Sequence, residues 1–125
     1  MNPITINSIT VDCPDPRMLA AFYVRFLGWS IRLETDDFVS VATPASPVTI
    51  GFQRNEDYEP PVWPGGKGEP QQMVHIDFKA KDQAEMAAYV AHAIACGATL
   101  AEPQYAQEWT VMIDPAGHPF CIDTL

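Results

Sequence analysis

The sequence predicts an α+β fold built from two βαβββ modules in tandem. The strand-then-helix pattern of SITVDCPDPRMLAAFYVRFL, Ser8 to Leu27, returns 67 positions later in HIDFKAKDQAEMAAYVAHAI, His75 to Ile94. Ile9 falls on Ile76, Val11 on Phe78, Asp15 on Asp82 and Phe22 on Tyr89, and a repeat of this kind constrains the fold before any single element does. Three short strand candidates follow each copy, and a stretch rich in proline, glycine and charge, NEDYEPPVWPGGKGEP, separates the halves. The chain is read as a single domain, residues 1–125, with module one at 1–54, a linker at 55–70 and module two at 71–125. A chain of this length buries about two-thirds of the surface it exposes when unfolded.

In module one, Ile9 and Val11 alternate with Ser8, Thr10 and Asp12, the period-2 signature of a half-buried strand. Asp15-Pro16 supplies an N-cap side chain and a proline at the first helical position, where a missing N–H costs nothing. Met18, Leu19, Phe22, Phe26 and Leu27 then recur at helical spacing up to Gly28, a natural C′ residue. WSIRLET, FVSVAT and VTIGFQR are the strand candidates that follow. In module two, Val74, Ile76 and Phe78 alternate with His75, Asp77 and Lys79; Asp82 with Glu85 makes a capping-box-like start, and Gly97 closes the helix. ATLAE, EWTVMID and HPFCIDTL complete the module, and DPAG, Asp114 to Gly117, has the residues of a type I turn joining the last two strands.

Tandem βαβββ modules, together with HIDFKAKD, ACGATL and DPAGHPFCI, resemble the vicinal oxygen chelate superfamily, and most closely its small glyoxalase-like members. The last motif is similar to that family's DPxGNxF hallmark, with His118 in the asparagine position. The resemblance spans essentially the whole chain. It implies that each module curls its mixed sheet into half of an open barrel around a cleft, with helices outside, and that the protein pairs as a homodimer.

Strand parity assigns the faces. If Ile9, Val11, Val74, Ile76 and Phe78 lie under the helices, then Ser8, Thr10, His75 and Asp77 point the other way, toward the cleft. The same parity sends Val48, Ile50, Phe52, Phe120 and Ile122 inward and leaves Thr49, Gly51, Gln53, Cys121 and Asp123 opposite. Gln53 and Cys121 are 68 apart, close to the spacing of Ser8 and His75, so these four are expected to form two pseudo-symmetric pairs. In metal-using relatives such positions carry His and Glu ligands. Here only His75 matches, and an imidazole, a thiol, an amide and a hydroxyl are a poor set for a divalent ion. No cofactor and no metal ligands are therefore expected. A divalent metal would need Asp77 or Asp123 to join His75 and Cys121.

His75 has three readings: a catalytic general base oriented by Asp77, an anchor for a ligand, or a structural residue satisfied by its neighbours. A nucleophilic Cys121 lacks an oxyanion-hole motif in support. His92 is expected to be solvated and His118 to be a loop residue. Trp29, Phe38, Trp63 and Trp109 offer flat rings for stacking, with Trp63 in the linker a lid or a subunit contact; Arg32 and Arg54 are candidate anion anchors. The expected ligand-binding set is Ser8, Thr10, Gln53, Trp63, His75, Asp77, Trp109 and Cys121.

Composition narrows the function. A net charge of −9, with no Lys/Arg cluster, argues against nucleic acid and anionic membrane surfaces as partners. The longest nearly apolar run, Met86 to Cys96, is about half of what a bilayer span requires, and MNPITINS lacks a signal-peptide pattern, so a cytoplasmic location is expected. Cys13, Cys96 and Cys121 form no CxxC pair and are expected to be free thiols. No P-loop, dinucleotide fingerprint, Ser-His-Asp pattern or zinc-finger spacing is present. The expectation is a metal-independent small-molecule-binding protein, for sequestration, resistance or unassigned chemistry. The alternative is a metal-dependent lyase, isomerase or dioxygenase of the glyoxalase type.

Overall fold

The computed structural model describes all residues, 1–125, and the chain divides into two compact units, Met1–Tyr58 and Glu59–Leu125. In the first, β1 (Ser8–Cys13), α1 (Pro16–Leu27), β2 (Ser30–Glu34), β3 (Phe38–Thr43) and β4 (Ser46–Arg54) form a mixed sheet of order β1-β4-β3-β2. In the second, β5 (Ile76–Lys79), α2 (Gln83–Cys96), β6 (Thr99–Leu100), β7 (Trp109–Ile113) and β8 (Pro119–Asp123) repeat it as β5-β8-β7-β6. In both, the first strand pairs in parallel with the last, and the other pairings are antiparallel. The α+β architecture of two βαβββ modules is thus the one the repeat predicts. Residues 59–70 of the expected linker belong to the second unit.

Local chemistry sets the helix ends. Asp15 accepts from the N–H groups of Arg17 (3.2 Å) and Met18 (3.3 Å), Pro16 opens α1, and Gly28 closes it at φ +71°, where a side chain would be strained. Asp82 accepts from Glu85 N–H at 2.8 Å, while the Glu85 carboxylate reaches back to Lys81 N–H at 3.0 Å, one residue beyond a true capping box.

Leu19, Phe22, Tyr23 and Phe26 bury one face of α1, which packs on β3 and β4. Tyr23 lies flat on Phe52, with ring centroids 5.2 Å apart. Met86, Ala93 and Cys96 do the same for α2, on β7 and β8. Two expectations fail. Met18 is exposed rather than core, because Tyr23 fills the inner stripe instead. Val74 is 73% exposed, because β5 begins only at Ile76. The residue of β8 that precedes the Ile76–Phe120 pair is Pro119, which has no N–H to extend the ladder. None of the three cysteines is in a disulfide and all are buried. No helix is long and apolar enough to cross a membrane.

Candidate functional site

The register of the second sheet assembles a cluster from residues distant in sequence. Asp77 and Val111 both stand beside Cys121, and Trp109 beside Asp123, on the face away from α2. His75 sits at the mouth of β5, with its Nε2 3.1 Å from Asp77 Oδ1 and its Nδ1 3.1 Å from Gln72 Oε1. Both ring nitrogens therefore face oxygens of the protein. For His75 to take a proton from a ligand, one of these contacts must open.

Two loops wall this face. Val62 bridges to Gln71 and donates its N–H to Pro70 O at 2.8 Å, closing a loop that carries Trp63. Gly117, at φ +95° in the β7–β8 turn, lets that chain approach, since a Cβ there would lie 2.7 Å from the Pro60 ring. Trp63 stacks on His75 (4.9 Å between centroids, 24° between planes) and on Tyr105 (5.7 Å, 29°). Tyr105 is held by its neighbour Gln104. The Gln104 amide donates to the carbonyls of Ala101 and Val111 and accepts from Val111 N–H, each at 2.8 Å, standing in for a strand where β6 ends. Ala101, Val111 and Cys121 form the buried floor, and Trp63, Trp109 and Ile113 pack against it. The open cavity has a volume of about 530 Å³, and Asp77, Asp123 and Leu125 also line it.

Burial pushes the Cys121 thiol up to about 12, and the charges of Asp77 and Asp123, with a hydrogen bond to Asp77, add to the effect. The thiol is thus protonated at neutral pH, which removes it as a nucleophile.

Of the expected ligand-binding residues, Trp63, His75, Asp77, Trp109 and Cys121 come together around this cavity. Ser8, Thr10 and Gln53 lie in the first unit, where Ser8 and Thr10 point away from α1 and Gln53 donates to Asp12 Oδ1 at 2.7 Å. Register corrects the pairing expected from sequence spacing. Thr10 stands beside Gly51 as Asp77 stands beside Cys121, so the counterpart of Cys121 is Gly51, and Gln53 is the counterpart of Asp123. The two modules differ in loop length, so the offset drifts by three residues, from 67 between the first strands to 70 between the last. Arg54 does not serve as an anion anchor: it is tied to Asp36 O at 2.7 Å, Pro14 O at 3.2 Å and the Asp37 carboxylate at 3.3 Å. Tyr105 escaped the sequence reading because the polar loop around it shows no periodicity. The available signal was an isolated aromatic in such a loop, the feature that singled out Trp63.

A divalent metal of the kind the resemblance implies finds little in the first unit, whose counterpart positions are Ser8 and Gly51. In the second unit the imidazole of His75, the carboxylate of Asp77 and the thiol of Cys121 all lie within 4.8 Å of one another. Asp77 thus supplies the third donor that the sequence reading required. This nitrogen, oxygen and sulfur set fits zinc better than iron or manganese, once the ion has displaced the thiol proton.

Residues 8–122 match the family described as "Glyoxalase-like domain". Among curated proteins no sequence match is found. Solved structures are similar over nearly the full length. A glyoxalase/bleomycin resistance protein/dioxygenase family enzyme from Burkholderia phytofirmans PsJN is 23% identical, with a TM-score of 0.73 over 96% of this chain and 98% of that one. A lactoylglutathione lyase from Agrobacterium tumefaciens is 15% identical, with a TM-score of 0.65 over 98% and 95%. The fosfomycin resistance protein FosX from Mesorhizobium loti is 13% identical, with a TM-score of 0.69 over 100% and 93%. At these identities the likeness is one of fold.

Proposed function

The chain belongs to the glyoxalase-like domain family of the vicinal oxygen chelate superfamily, and on that footing we propose that its second unit binds a small planar organic molecule without needing a metal. The observation that carries this reading is the cavity of about 530 Å³ walled by Trp63, Tyr105 and Trp109, within the size range of small-molecule sites. Aromatic walls hold a flat ligand by stacking, and His75, held between Gln72 and Asp77, fixes the position of the Trp63 ring stacked on it. Sequestration, resistance or a metal-independent reaction would each use such a site. The test is calorimetric titration of the metal-depleted protein with small aromatic heterocycles, compared with Trp63→Ala. Loss of one stacking wall is expected to weaken binding about tenfold. Equal affinity in Trp63→Ala, or no binding by any heterocycle, would sink the reading. Family resemblance also supports a homodimer, which light scattering of the purified protein tests.

A second reading, a metal-dependent lyase, isomerase or dioxygenase, is favoured by the convergence of His75, Asp77 and Cys121. A bound divalent ion would supply Lewis acidity there. His75, Asp77 and Cys121 would hold it, and Trp63 and Tyr105 would keep water away. Elemental analysis after chelation and re-addition of zinc, nickel, manganese and ferrous iron decides. Stoichiometric metal that disappears in His75→Ala supports this reading, and none above background excludes it.

A further inference from the structure

We propose that the ligand of the second-unit cavity is an organic cation, a planar aromatic body bearing a positive charge. The inference rests on the binding reading above and names the class of molecule.

Two features of the lining point the same way. Asp77 and Asp123 line the cavity, and no lysine or arginine does; Lys79, on the same face of β5, has its ammonium held by Leu125 O at 2.8 Å. The aromatic walls present ring faces, whose negative quadrupole attracts cations at distances up to about 6 Å. An anion would find few donors in return, since both nitrogens of His75 are already engaged, by Asp77 and Gln72.

The experiment titrates metal-depleted protein with three ligands on one ring system, followed by NMR: N-methylquinolinium, quinoline and quinoline-2-carboxylate, at about pH 8 and about 150 mM salt. The cation is expected to bind about tenfold or more tighter than neutral quinoline, and the carboxylate about tenfold or more weaker. Asp77→Asn combined with Asp123→Asn is expected to abolish the preference, read as the ratio of cation to quinoline affinity within that variant. Glu56→Gln with Asp57→Asn, which removes the same charge from the first unit, is expected to retain it. Asp123→Asn alone, in which the His75–Asp77 contact is intact, is expected to remove part of it. A carboxylate that binds as well as the cation overturns the proposal, as does a preference that survives loss of both aspartates. Equal binding of all three ligands overturns the cation assignment and leaves the aromatic site standing. Absence of binding by all three overturns both.

Discussion

At matching points of their sheets the first unit carries Thr10, Gly51, Ser40 and Phe38, and the second carries Asp77, Cys121, Val111 and Trp109. The backbone is the same module twice, yet one face is filled and the other is open. Gly51 is the pivot. With no side chain there, Phe38 swings over the strand, close enough that its ring would be 2.7 Å from a Cβ at that position. Cys121 occupies the corresponding place in the second unit and is itself part of the floor. Trp109 stays half-buried beside a cavity roofed by Trp63 and Tyr105. A module can therefore become a site by gaining a floor residue and two aromatic loops, with no change in topology.

The largest effect that would break this contrast concerns the thiol that marks the open face. A shift from 9.0 to about 12 lowers the thiolate fraction at neutral pH by about a thousandfold. Native Cys121 is therefore expected to react with iodoacetamide at least about a thousandfold more slowly than the unfolded chain at about pH 8, read by peptide mass spectrometry. Between pH 9.0 and about 12 the unfolded thiol ionises while the folded one keeps its proton. Stability is therefore lost as pH rises through that window, and less so in Cys121→Val. Fast native labelling would mean that the thiol is not held buried and neutral, and would undo the placement of Cys121 in the floor of the cavity.

Next in size is the pivot itself. Gly51→Cys writes the second unit's residue into the first, with its Cβ 2.7 Å from the Phe38 ring and 2.9 Å from Thr10 Oγ1. Overpacking of this kind costs about 2–3 kcal/mol, read by urea denaturation. Adding Phe38→Ala makes room, so the double variant is expected to recover most of the loss against Phe38→Ala alone. Additive costs would mean that Phe38 and Gly51 do not make the filled face.

Much of this was legible in sequence, and the limits have physical causes. Strands and helices follow from periodicity and caps, which are local, so Asp15-Pro16, Asp82, Gly28 and the DPAG turn predicted their elements correctly. His75, Asp77 and Cys121 were assigned to one face by parity, which needs only the strand period. The pairing of Gln53 with Cys121 failed because pairing depends on register, and register is set by loops whose lengths differ between the modules. Tyr105 was missed because it is placed by Gln104, a side chain acting as backbone, so that only its isolation as an aromatic in a polar loop marked it.

That device gives a smaller effect. Gln104→Ala removes three hydrogen bonds of 2.8 Å to Ala101 and Val111, groups that water can partly satisfy in its place. The expected cost is about 1–2 kcal/mol, with weaker aromatic binding as Tyr105 loosens. An unchanged melting temperature together with unchanged affinity would show that the second unit's roof does not depend on this anchor, and that Trp63 alone separates the open face from the filled one.

The smallest effect tests whether the filled face is truly dry. Ser40 stands where the second unit has Val111, it is 2% exposed, and its Oγ has no hydrogen-bond partner. A buried hydroxyl without a partner is a standing cost, so Ser40→Ala is expected to be neutral or to stabilise by up to about 1 kcal/mol. The measurement is the same urea titration as for Gly51→Cys. A stabilised variant supports a face closed by Phe38 against solvent. A variant destabilised by more than about 1 kcal/mol would mean that the hydroxyl is satisfied by an ordered water. The first unit would then hold a small wet pocket of its own beneath Phe38, and the difference between the units would be one of size rather than of open against filled.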